Sequence, residues 1–199
     1  MIFELDKKTA DDLMSIDGEM KGVVFKTDEK FILNKGGEEK LKEVEEEIKS
    51  LGYSLKYREI GNFKFYPIGM RAISLLAIAK VFDLNEEQIK EMGSFAPKTS
   101  LVIKFFMQHF FSVKEVFDKA SNIWEKHYMI GKMKPKEFDE KNKIVNLQLE
   151  EFNVHPILCI YLSGYFSKIC EITINKPVKI EEIKCSFKGD PYHEYQIKW

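Results

Sequence analysis

Cysteine is scarce: three occur in 199 residues and none forms a C-x-x-C pair, which excludes a disulfide framework and a sequence-local zinc ribbon. With no secretory leader in view, the expected setting is a reducing cytoplasm. Charge of one sign is missing too. Lys and Arg number 31 against 32 Asp and Glu, for a net charge of -1, so nucleic acid or an anionic membrane finds no electrostatic footprint. The most apolar stretches, 101–111 (LVIKFFMQHFF) and 157–166, are broken by Lys104, Gln108 and His109 or too short to span a bilayer, and read as core helices. No P-loop, dinucleotide glycine fingerprint, HExxH or nucleophile elbow occurs, since Leu162-Ser163-Gly164 lacks the G-x-S-x-G context. The expectation is that the chain is not an enzyme.

What is abundant is aromatic and thioether: 16 Phe, 8 Tyr and 8 Met, side chains that wall large apolar interiors and adapt to irregular volumes. The length suits one domain, and no repeat or linker divides it. Residues 1–20 are polar, with a Thr9-x-x-Asp12 start signal for a short docking helix, and are taken as an extension of a single ligand-binding domain at 21–199. Residues 21–26 suggest a strand, and 36–51 a charged surface helix closed by Gly52. Residues 68–82, apolar around most of the circumference, mark a central buried helix. A short helix from Asn85 is stopped by Gly93, 98–111 forms another, and Ser112 caps a helix over 113–129 that Gly131 ends. Residues 134–139 and 143–149 alternate as a hairpin. Pro156 then opens a helix to about 173, in which Ser163, Gly164 and Ser167 allow another backbone to approach closely.

The final segment, 181–199, reads as a second hairpin turning at Gly189-Asp190-Pro191. Its alternation puts Ile183, Cys185 and Phe187 on one face with His193, Tyr195, Ile197 and Trp199. Cys185 and His193 could therefore form half of a zinc site. His155 and Cys159, one helical turn apart, offer a second half, although a buried cysteine is more commonly a small hydrophobe. A second group lines helices. Trp124, His127 and Tyr128 recur at helical spacing, His109 falls near Phe105 and Phe106, and Tyr161 and Tyr165 place hydroxyls on an apolar helix. Either histidine could face a ligand or a haem iron.

The strand ending Glu182-x-x-Cys185, the Gly189-Asp190 turn and the polar-aromatic strand after it resemble the end of 4-vinyl-reductase domains. Lys21-Gly22-Val23, Phe65-Tyr66-Pro67, the helix end from Trp124 to Gly131 and the final Trp199 resemble an uncharacterised bacterial family best represented in myxobacteria. Both are similar to the fold of haem–nitric-oxide-binding domains and Bet3-type trafficking subunits. That resemblance implies an α+β domain in which a helical layer packs on a C-terminal antiparallel sheet, with a ligand pocket between the layers. Haem is the runner-up ligand, because the position of that family's proximal histidine falls near Ile123, with His127 one turn too late, and its Tyr-x-Ser-x-Arg clamp has no match. His193 stands where the vinyl-reductase pattern has a further cysteine, a change that keeps metal-binding chemistry.

The function expected is a noncatalytic sensor or binding domain for a small, largely apolar molecule or lipid, acting through helix–sheet repacking on a signalling partner. Phe105, Phe106, Trp124 and Tyr128 are its expected walls, and His109, His127, Tyr161 and Tyr165 its expected polar contacts. The alternatives are an interaction or homodimerisation module with a filled core and, below it, a haem-based gas sensor. Zinc or haem are the cofactors weighed.

Overall fold

A computed structural model describes residues 4–99 and 112–199. The order is α1 (Lys7–Met14), β1 (Glu19–Lys21), α2 (Val23–Ser50), β2 (Phe65–Pro67), α3 (Ile68–Val81), α4 (Glu86–Thr99), α5 (Val113–Asp118), α6 (Ala120–Glu125), β3 (Lys132–Asp139), β4 (Ile144–Glu150), α7 (Pro156–Ile174), β5 (Lys179–Lys184) and β6 (His193–Lys198). β1 and β2 form a small antiparallel ribbon, while the other strands make one antiparallel sheet ordered β3-β4-β6-β5. This is the expected α+β arrangement, with the helical layer first and the sheet at the C-terminal end.

Helix α3 is the centre of the helical layer. Twelve consecutive residues, Ile68 to Ala79, are buried, as an apolar pattern on every face requires. Helix α1 is capped by Asp6, whose carboxylate accepts from the Thr9 N–H, so the start lies three residues earlier than the Thr9 signal implied. It packs on α3 and contributes Ala10 and Leu13 to the shared core. Residues 23–26, read as part of a strand, are helical, and so are 27–35. They join the charged helix across a kink at Gly37, whose φ of 69° suits glycine.

Two further boundaries differ for physical reasons. The helix capped by Ser112 breaks at Lys119 into α5 and α6 and does not run to 129. Ser112 and Glu115 form a reciprocal capping box that holds its start. Gly93 does not stop a helix, since α4 runs through it. Its missing side chain is what matters: a Cβ there would strike the Tyr161 carbonyl of α7, and a Cβ on Gly164 would strike the Lys90 carbonyl of α4. The two backbones therefore touch directly. The helix expected over 98–111 lies outside the described residues beyond Thr99. By length and composition α7 is apolar enough to cross a bilayer, and here it is a core helix between α4, α3 and the sheet.

One buried ion pair ties α2 to α3. Arg71 donates to Asp28, Ser74 donates to the same carboxylate at 3.1 Å, and the Tyr57 hydroxyl meets Ser74 at 2.7 Å. The Arg71 guanidinium also lies 4.5 Å from the Tyr161 ring centroid. Asp28 Oδ1 and Arg71 Nε and Nη2 remain without hydrogen-bond partners among the described residues, so the pair is incompletely compensated for leaving water.

Two outcomes are expected. Gly164→Ala forces α4 and α7 apart and should lower unfolding free energy by about 1–3 kcal/mol, measured by urea denaturation. Burial pushes the Asp28 carboxyl from 3.8 up to about 6 against the opposing pull of Arg71 and Ser74. The folded state then keeps this proton where the unfolded chain loses it. Stability should fall by about 2–3 kcal/mol as pH rises from about 4 to about 6 and level off above, and Asp28→Asn should remove that slope.

Candidate functional site

A cavity of about 380 Å³ opens between the helices and the sheet, near the lower end of the about 300–1,000 Å³ usual for ligand pockets. Three elements supply its apolar walls. Val113, Val116 and Phe117 of α5 face Met133, Val145 and Leu147 of the sheet, and Leu162, Tyr165, Phe166 and Ile169 of α7 complete the apolar interior. The burial that makes β3 and β4 strands is what points Met133, Val145 and Leu147 inward, since alternate residues of a strand share a face.

Trp124, His127, Tyr128, Tyr161 and Tyr165 all line this cavity. Trp124 is fixed twice: its indole N–H donates to the Ile130 carbonyl at 2.9 Å, and its ring stacks on Tyr128 with centroids 4.2 Å apart. His127 stands at the open end with Nδ1 2.9 Å from the Ile123 carbonyl. Beside it, the Lys21 N–H donates to the His127 carbonyl, and the Val23 N–H to that of Asn62. Lys21, Lys126, Thr27, Asn62 and the exposed Phe63 form the rest of this rim. Burial drives the Tyr161 and Tyr165 hydroxyls well above their usual pKa, so both stay protonated. Phe105, Phe106 and His109 lie outside the described residues.

The terminal hairpin builds a second constellation. Cys159, Glu182, Cys185 and His193 bring four ligand atoms within 4.8 Å of one another. His193 Nδ1 lies 3.0 Å from Glu182 Oε1 and 3.6 Å from Cys159 Sγ. Burial, then the Glu182 charge, pushes the Cys159 thiol far up, and burial raises Cys185 as well. Cys185 is further anchored by its N–H, which donates to Asp190 at 2.8 Å. His155 stands apart from this group; its Nδ1 accepts the Ile157 N–H at 3.1 Å and caps α7. The donor set of two thiols, an imidazole and a carboxylate suits a zinc-type ion, whose bonds are about 2.0–2.3 Å long.

The hairpin differs from simple alternation. β5 pairs Ile180 with Ile197 and Glu182 with Tyr195, then slips between Glu182 and Lys184. Ile183 is left exposed, and after Lys184 the chain turns through a 3-10 segment at Ser186–Lys188 with Phe187 exposed as well. Residues three apart on a regular strand face opposite ways. The bulge lets Glu182 and Cys185 share one side. Glu182 is thus the member that residue-by-residue alternation missed, and the Glu-x-x-Cys spacing is the sequence trace it leaves.

No protein-family profile and no curated protein matches the chain. Among solved structures, an H-NOX protein from S. oneidensis in the Fe(II)NO ligation state superimposes with a TM-score of 0.69 at 15% identity, covering 90% of this chain and 98% of its own. An oxygen-binding H-NOX domain related to soluble guanylate cyclases gives 0.65 at 14% identity, with coverage of 90% and 94%. A structure described under modulation of heme redox potential through porphyrin distortion gives 0.65 at 15% identity, with coverage of 90% and 100%. The 4-vinyl-reductase and myxobacterial likenesses find no support in these comparisons. At such identities the resemblance carries architecture alone, and the architecture this chain has is that of H-NOX domains.

Proposed function

We propose that residues 21–199 act as a noncatalytic, cytoplasmic sensor for a small, largely apolar molecule held between the helices and the sheet, with residues 1–20 as an extension packed on them. The observation that carries this reading is the 380 Å³ apolar cavity itself. An open interior also counts against a pure interaction module, whose core would be filled. Helices α5 and α6 are the responsive part. They are six residues each, are separated by a break at Lys119, and form one wall of the cavity. An occupant that packs against Val116, Phe117 and Trp124 favours one placement of that wall over another and so changes the surface offered to a signalling partner.

We assign the four-residue cluster to a structural metal ion of zinc type, held by Cys159, Glu182, Cys185 and His193. Such an ion would clip α7 to the hairpin, because one ligand comes from the helix and three from the strands and their turn. Four protein donors leave no open coordination position, which is the pattern of structural rather than catalytic zinc.

Haem is the second reading, favoured by what the fold neighbours are described as binding. The residues here fit it poorly. His127, the one histidine lining the cavity among the described residues, sits at the rim next to Lys21 and Lys126. Its Nδ1 is taken up by the Ile123 carbonyl, and Ile123, one turn before it on the same lining, has no ligand atom in its side chain.

Three measurements separate these readings. Native mass spectrometry of freshly purified protein should show a retained small molecule, and Ala120→Phe, which fills the cavity, should weaken its binding about tenfold or more. Absence of any retained compound together with no thermal shift from hydrophobic metabolites would overturn the sensor. Elemental analysis after chelator-free purification should find one zinc per chain, lost in Cys185→Ser with a fall in stability of at least about 2 kcal/mol, or about 4–8 °C in melting temperature. Addition of haem should give no Soret band; a band abolished by His127→Ala would establish the second reading instead.

A further inference from the structure

The cavity is apolar inside but its rim has one sign of charge. Among its described lining residues are two lysines, Lys21 and Lys126, and no aspartate or glutamate. Among the described residues neither lysine meets a carboxylate, whereas Lys7, Lys40, Lys56, Lys80, Lys114 and Lys132 each do. Lys21 is half-buried with its ammonium 5.7 Å from the Phe65 ring centroid, a position that holds it close to the opening.

The same end of the cavity gathers the other groups that favour a negative charge. Helix α2 begins there with Val23 and Val24 on the lining. Its N-cap is Gly22, which gives no side-chain cap, and the Val23 N–H donates to the Asn62 carbonyl; the positive end of the helix dipole adds to the lysine charge there. Asn62 adds a hydrogen-bonding side chain to the lining, while the Thr27 hydroxyl donates to the Val23 carbonyl and His127 Nδ1 meets the Ile123 carbonyl. Away from the rim, toward Val145, Leu147, Phe166 and Ile169, the walls are hydrocarbon. Burial leaves Tyr161 uncharged on that lining, and its hydroxyl makes no hydrogen bond among the described residues.

We infer that the occupant is an anionic amphipath, an unbranched carboxylate whose chain fills the apolar interior and whose head group meets Lys21, Lys126 and the start of α2. This rests on the sensor reading and narrows it from any apolar molecule to an acid. A neutral molecule of the same shape would bury the same hydrocarbon but leave the rim charges without a partner. The carboxylate gains partly exposed charge pairs, each a modest contribution that salt screens.

Octanoate and 1-octanol test this, since they share a chain and differ in the charge of the head. Binding is read from Trp124 emission in a Trp199→Phe background, which leaves Trp124 as the sole indole. Octanoate should bind about three- to tenfold more tightly than 1-octanol at low salt. The difference should vanish in Lys21→Gln/Lys126→Gln and shrink in high salt, while 1-octanol affinity stays unchanged. Equal binding of the two, or a preference for octanoate that survives the double substitution, would overturn the head-group assignment and leave the cavity sensor standing. Failure of both compounds to perturb Trp124 in any variant would overturn the two together.

Discussion

Direct backbone contact between α4 and α7 is the constraint from which the rest follows. Gly93 and Gly164 each leave room for a carbonyl of the other helix, and no side chain could stand in either place without moving a main chain. That contact fixes the depth and rotation of α7. Once it is fixed, Cys159 is delivered to the terminal hairpin, while Leu162, Tyr165 and Phe166 are delivered to the cavity. One helix therefore sets the geometry of both candidate sites.

The two sites also meet through packing. Phe166 lines the cavity and touches Tyr195 edge to face, with centroids 5.2 Å apart. Tyr195 is fully buried in β6, two residues from His193 of the cluster. A metal ion at the cluster would stiffen the strand side of this contact, and an occupant of the cavity would press on the helix side. The helical layer has its own anchor in Asp28 and Arg71, a pair kept despite the cost of burying charge. Its guanidinium lies against Tyr161, so that wall of the cavity is held from behind.

Much of this was legible in the chain. The uniform apolarity of 68–82 marked a helix buried on all sides, that of 157–173 an apolar core helix, and Gly164, with Ser163 and Ser167, a close approach, because such patterns depend only on local composition and steric size. The convergence of Cys185 and His193 followed from their places on a hairpin. What sequence could not give is where irregularity lies. Gly93 has the look of a helix stop and is a packing surface, a distinction that depends on a helix seventy residues away. Glu182 escaped because strict alternation assigns it to the face opposite Cys185.

The slip at Ile183 has a genealogical meaning. In an unbroken strand a carboxylate and a thiol can share a vertex only at even intervals, so an interval of three is a fossil of the irregularity itself. Kin that keep the three-residue interval must keep the kink to keep the vertex. Kin with an interval of two or four could reach it on straight strands. When sequences have drifted beyond recognisable identity, counting residues between acid and sulfur distinguishes descendants of this local geometry more sharply than the identity of any residue between them.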